Sequence, residues 1–175
     1  MKQLLSLLLC LSIIVPSMAK KEQRKQNVFP DGTPISEWFL QTKVVHPDSL
    51  GKKYDLSDYG IESNPHIVQT QKIQKIIDEA AANGGGVIYI PEGIYKSGSL
   101  FFKQGTHLYL SKGATLLGSE NIMDFPLLMT RIEGEYCKYF GALINADGLD
   151  TFTISGKGTI DGNGTPYWKA FRLRR

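Results

Sequence analysis

The chain has 175 residues, 42% of them hydrophobic, and 20 Lys and Arg against 17 Asp and Glu, for a formal charge of +3. This is an ordinary soluble composition with one domain as the default, and the charge is too small to point to nucleic acid as a partner. Its cysteines, Cys10 and Cys137, are too few for a disulfide framework or a zinc cluster.

At the N-terminus, Lys2 precedes an apolar run from Leu4 to Val15, and Ser17 and Ala19 then place small residues at the −3 and −1 positions of a cleavage site. The run is short for a bilayer span and reads as a secretory signal peptide over residues 1–19, cleaved after Ala19. A secreted or periplasmic protein is expected. Leu9 is bulky where a lipoprotein site at Cys10 would want a small residue. Lys20, Lys21, Arg24 and Lys25 lie in a polar stretch without periodicity and read as a solvated leader. Residues 20–52 are taken as this leader and a strap, and 53–175 as a cap helix and the first coils of a repetitive β domain.

Phe29 to Phe39 is rich in turn residues and ends in Trp38 and Phe39. That aromatic pair could stack on sugar faces; burial that pins the strap to the core is the preferred reading. Lys53 to Tyr59 suits a first strand. From Thr70 to Asn83 the apolar positions Ile73, Ile76, Ile77, Ala80 and Ala81 form one helical stripe. Gly84, Gly85 and Gly86 end it, and either Asn64-Pro65 or Thr70 suits its start. A helix placed there can cover the raw edges of the strands after it.

The segment from Val87 onward repeats. Ile88, Ile90, Gly93 and Gly98 return twenty residues later as Leu108, Leu110, Gly113 and Gly118, and forty-four further on as Phe152, Ile154 and Gly162, with Gly158 one position out of step. Short strands are expected at Val87 to Ile90, Leu100 to Phe102, His107 to Leu110, Thr115 to Leu117, Ala142 to Asn145, Phe152 to Ser155 and Thr159 to Asp161. Pro91 and a series of glycines supply the corners. A chain that turns this often is a solenoid, and the longer interval reads as two coils of roughly 22 residues. Residues 119 to 141, with Pro126, Arg131, Glu133, Glu135 and Lys138, leave the template and read as a bulging loop.

The stretches ISGKGTIDGNG (Ile154 to Gly164) with Tyr167-Trp168, RIEG (Arg131 to Gly134) before ALINADG (Ala142 to Gly148), and the helix followed by GGGVIYIPEGIYKSGSLFF (Gly84 to Phe102) together resemble the polygalacturonase family of pectin-degrading glycoside hydrolases. The resemblance implies an all-β, right-handed parallel β-helix (solenoid) with an N-terminal capping α-helix, truncated before its later coils. It also implies inverting hydrolysis of galacturonosidic bonds in pectic polysaccharide, of the polygalacturonate or rhamnogalacturonan type. That family's active site carries Asn-x-Asp, an adjacent Asp pair, Gly-His-Gly and Arg-x-Lys on later coils. The set is read as absent from this chain: no Asp-Asp pair occurs, and none of His46, His66 or His107 lies between glycines. No catalytic residue is therefore assigned, and the chain alone is expected to be inactive.

The carboxylates in coil sequence are Asp147, Asp150 and Asp161. Asp147 and Asp161 each precede a glycine, where Asp commonly bonds its own turn. Arg131, Glu133 and Tyr136 are the better candidates for sugar contact, since Arg can fork onto a uronic carboxylate; a solvated charged loop explains them equally. The histidines lack metal-ligand spacing, so no metal or cofactor is assigned. Gly84 to Gly86 follows a helix and precedes a strand, the reverse of a phosphate-binding loop. Cys137 is either a free thiol or awaits a partner further along a longer chain. A monomer is expected, with no membrane association after signal cleavage. The competing readings are a pectate-lyase-like polysaccharide lyase and a non-catalytic carbohydrate-binding surface solenoid.

Overall fold

A computed structural model describes residues 28–40 and 44–173. The expected signal peptide and the basic cluster Lys20, Lys21, Arg24 and Lys25 lie outside the described residues. The chain divides into two compact units, Met1–Thr42 and Lys43–Arg175. In the first, a bridge joins Val28 to Pro34 across a turn in which Asp31 accepts from the Thr33 backbone and hydroxyl at 3.0 and 2.6 Å. Trp38 and Phe39 stack on each other at 3.7 Å and are 64% and 57% exposed. They lie in a four-residue 3-10 turn, Glu37–Leu40.

In the second unit β1 (Lys53–Asp55) passes into a 3-10 turn rather than continuing to Tyr59, and β2 (Asn64–Val68) comes after it. Helix α1 (Thr70–Ala82) is next. The chain then runs through β3 (Gly86–Ile90), β4 (Gly93–Ser97), β5 (Leu100–Phe101), β6 (Thr106–Leu110) and β7 (Ala114–Gly118). After these come β8 (Leu127–Ile132), β9 (Glu135–Phe140), β10 (Ile144–Asn145), β11 (Ile154–Gly156), β12 (Thr159–Asp161) and helix α2 (Thr165–Arg172). Two sheets have four strands each, ordered β1-β3-β6-β11 and β2-β4-β7-β12, and β5 pairs with β10. Every pairing in these three ladders is parallel. Each pass of the chain thus visits the ladders in turn and lies against the pass before it.

The register agrees with the repeat in the first ladder, where Ile88 faces Leu108 and Ile90 faces Leu110. In the second, Gly93 faces Ala114 and Ser97 faces Gly118, one residue away from the expected glycine pairs. The corner after β6 is one residue longer than the corner after β3, and the shift is absorbed there. Likewise Ile154, not Phe152, faces Leu108, while Thr159 keeps its expected place opposite Thr115; the corner after β11 is shorter by the same two residues.

The forty-four-residue interval is not two coils. β11 lies directly on β6, β12 on β7 and β10 on β5, so a single pass has been lengthened. Nor are residues 119 to 141 a plain loop. β8 and β9 form an antiparallel hairpin, paired from Leu127↔Phe140 to Ile132↔Glu135. Glu133 and Gly134 close it with φ of 52° and 94°, left-handed at both central positions as a tight hairpin requires. Pro126 and the charges mask its period-two alternation.

Ile88, Ile90, Leu108, Leu110 and Leu116 fill the space between the ladders, each at most 3% exposed. The corner after β11 depends on Gly156, whose φ is 113° and whose added Cβ would run into the Leu110 carbonyl; only glycine fits there. Helix α1 buries Ile73, Ile76, Ile77 and Ala80, close to the stripe read from the sequence. It starts at Thr70 after Gln69, whose side chain makes no capping bond and donates instead to Glu62 O at 2.9 Å, and Asn64-Pro65 belongs to β2.

The polar side chains of α1 meet β5. Gln74 accepts from Phe101 N at 2.8 Å and donates to Phe101 O at 2.9 Å, and Thr70 Oγ1 accepts from Gly98 N at 2.7 Å. The Gln74 amide thereby supplies what a neighbouring strand would supply to β5. Replacing it with Leu leaves a half-buried N–H and C=O unpaired, and we expect urea denaturation to show a loss of about 1–3 kcal/mol.

Lys103 Nζ lies 2.8 Å from Asp78 Oδ1. That contact, with a hydrogen bond from Gln74, holds the Asp78 carboxyl below its ordinary value. Its folded-state pKa is depressed, so the contribution is present above the unfolded value, about 3.9, and is lost as pH falls through the folded one. The urea midpoints of the wild type and Lys103→Met are expected to differ at neutral pH and to converge in acid, with the gap reduced by salt.

Candidate functional site

Beside the β5–β10 ladder the hairpin walls off a cleft of about 790 Å³. Phe101 and Phe102 line it from the ladder side, Tyr139 and Phe140 from the hairpin, Asn145 from the end of β10 and Asp147 from the turn after it. Phe102 is buried and packs on Phe152 with ring centres 4.9 Å apart. An aromatic floor with a few polar groups at its rim suits a ligand of mixed polarity. Tyr139 and Phe140 also line a second, more apolar hollow of about 590 Å³, bounded by Phe125 and Tyr167. There Tyr167 donates to Ser119 O at 2.6 Å, which ties α2 to the end of β7, and burial raises its hydroxyl pKa. Helix α2 has little sequence signal beyond Pro166 in its first turn, a common start.

Asn145 holds the cleft's edge in place. Its side-chain amide donates to Leu100 O at 3.1 Å and Ala142 O at 2.7 Å and accepts from Ala142 N at 3.0 Å. Asn145-Ala146-Asp147 does have the Asn-x-Asp spacing that the sequence reading takes to be absent. In this string the Asn is committed to backbone partners and the Asp is exposed.

The carboxylates noted in the sequence are spread out. Asp147 borders the cleft. Asp150 exchanges backbone bonds with the Gln104 amide at 3.1 and 3.3 Å. Asp161 sits on β12 in another ladder and accepts from Asn163 N at 2.8 Å, the turn role expected of it. Arg131, Glu133 and Tyr136 come together at the far end of the hairpin, with Arg131 directly opposite Tyr136.

His46, His66 and His107 lie on separate elements; His46 Nδ1 caps the turn at Pro47–Leu50. Among the described residues no group of three or more His, Cys, Asp or Glu is placed to hold a metal ion. Cys137 is a half-buried free thiol opposite Thr130. One ion pair has no sequence signal: Lys96, nearly buried on β4, meets Glu120 at 2.9 Å and lowers that carboxyl's pKa.

Parallel ladders with a cleft along one side define the class, a repetitive parallel-β protein with a groove suited to an extended ligand. No family model matches the chain. It is 34% identical over 152 residues, 82% of this chain and 24% of the other, to an exo-poly-α-D-galacturonosidase of Dickeya chrysanthemi. It is 37% identical over 129 residues, 71% and 17% of the two chains, to a plasmin and fibronectin-binding protein A of Streptococcus pneumoniae. A probable polygalacturonase of Vitis vinifera is 28% identical over 66% of this chain and 26% of its own.

Among solved structures, a family 28 exopolygalacturonase of Yersinia enterocolitica superposes with a TM-score of 0.56 at 33% identity, covering 64% of this chain and 21% of that one. A hyperthermoactive exopolygalacturonase of Thermotoga maritima, at 24% identity, shares the fold with a TM-score of 0.61 over 72% and 28% of the two chains. Over part of its length, this chain is related to the polygalacturonase family. It spans about a quarter or less of the curated relatives it matches.

Asn145→Ala is expected to cost about 1–3 kcal/mol in urea unfolding, because two carbonyls and one N–H lose their partner. An unchanged midpoint would show that the Asn is free for other work.

Proposed function

We propose that this chain is the front portion of an exported glycoside hydrolase that cleaves galacturonosidic bonds in pectic polysaccharide. In this reading the parallel ladders are the first coils of a right-handed parallel β-helix, with α1 as its cap, and the cleft beside β5 and β10 receives part of the polysaccharide. The observation that carries it is the 34% identity to an exo-poly-α-D-galacturonosidase across 82% of this chain. Inversion needs one carboxylic acid to protonate the leaving oxygen and a carboxylate to activate water, about 6.5–9.5 Å apart. Asp147, Asp150 and Asp161 are not offered as that pair, since Asp161 is engaged in its own turn and lies on a different ladder from β10. The catalytic groups are assigned to coils beyond residue 175.

The relative named as a plasmin and fibronectin-binding protein favours a second reading, a surface solenoid that binds and does not cut. Incubation with polygalacturonate separates the two. The protein extended through its later coils is expected to release new reducing ends without an ultraviolet-absorbing product, whereas the 175-residue chain releases none. An absorbing product would mean a lyase, no cleavage by the extended protein would favour the binder, and turnover by the short chain would overturn its assignment as an inactive portion.

A further inference from the structure

The two faces of the hairpin differ in use. Leu128, Thr130, Ile132 and Tyr139 line the cleft from one, and Met129 and Phe140 reach it from the other. Because strand residues alternate sides and directly opposed residues share one, Arg131 and its partner Tyr136 stand on the other, together with Lys138 two positions along β9. None of these three lines the cleft. All are exposed, Tyr136 by 78%.

The charges are segregated as well. Glu135 is paired with Ile132 on the cleft side and Glu133 sits in the turn, while neither Arg131 nor Lys138 forms an ion pair among the described residues. Arg131 Nε donates to Gly134 O at 3.2 Å. That bond steadies the guanidinium and leaves its two terminal nitrogens free to fork onto a carboxylate.

We propose that Arg131, Tyr136 and Lys138 form a docking surface for a chain of ionised uronic acids, outside the cleft. This rests on the pectic-polysaccharide reading and names the contact it would use. Charge complementarity selects the occupant: two unneutralised cations flank an aromatic ring, and a polyuronate presents carboxylates at regular intervals between apolar sugar faces. Arg supplies geometry and Lys a point charge, and the Tyr ring has an apolar body with a polar tip. A neutral glycan would leave both cations unused.

The test is affinity electrophoresis of the 175-residue chain through gels containing de-esterified polygalacturonate, fully methyl-esterified pectin or dextran sulfate. Retardation is expected in the first alone. Arg131→Gln with Lys138→Gln should weaken it at least about tenfold, as loss of two charge-assisted contacts implies. Tyr136→Ala should weaken it by about threefold or more. Glu135→Gln, on the opposite face, should leave it unchanged, and all variants should melt with the wild type because the side chains are exposed.

The proposal is overturned if the wild type is not retarded, if dextran sulfate or esterified pectin retards it equally, or if the double variant binds within about twofold of it, less than one charge-assisted contact is worth. Introducing the same double substitution into the extended protein keeps the two readings apart. Hydrolysis with unchanged KM sinks the docking surface alone. Polyuronate binding that the substitution abolishes, in a protein that cuts nothing, sinks the hydrolase alone.

Discussion

The fold depends on one constraint: a short parallel strand cannot satisfy its own backbone, so each N–H and C=O must find a partner on the pass before or after it. Between passes the ladders do this. Where a neighbouring strand is missing, side-chain amides take its place. Gln74 pairs with both polar groups of Phe101, Gln104 does the same for Asp150, and Asn163 donates to Gly118 O at 3.1 Å. An amide is suited to this because it carries a donor and an acceptor in nearly the geometry of a peptide. Helix α1 therefore does more than shield apolar area; it carries the polar groups with which β5 is completed.

The repeated apolar pairs and the helical stripe are legible in the sequence because they reflect burial, which imposes a period on it. Ile88 over Leu108 and the buried face Ile73, Ile76, Ile77 and Ala80 come directly from that period. Glycine spacing is a poorer guide. Corners differ in length by a residue or two, so counting from Gly93 to Gly113 misplaces the second ladder even though the first is right. The hairpin escapes notice because its strands are largely exposed and carry charges, which hides an alternation normally read from dry and wet faces. Asn145 and Gln74 leave no trace, since a polar residue that bonds to distant backbone looks like any surface amide.

The hairpin departs most from the repeat and also shapes both hollows. Its inner face makes the cleft a recess instead of an open flank, and Tyr139 and Phe140 at its base separate that recess from the pocket beneath α2. On its outer face Arg131, Tyr136 and Lys138 stay clear of the cleft, while Met129 and Phe140 reach it. A single insertion between β7 and β10 thus creates two surfaces of different chemistry: one aromatic with a carboxylate at its border, one cationic.

The unequal corners have a broader consequence. Each ladder keeps its alignment although the chain between one pass and the next can grow from twenty residues to more than forty. Length added at a corner is spent outside the stack, and the scaffold does not register it. Such an architecture can acquire, lose or exchange an outward arm without being refolded, so its partners can change while its interior stays the same. Relatives as different in printed role as a galacturonosidase and a plasmin-binding protein are compatible with such an architecture.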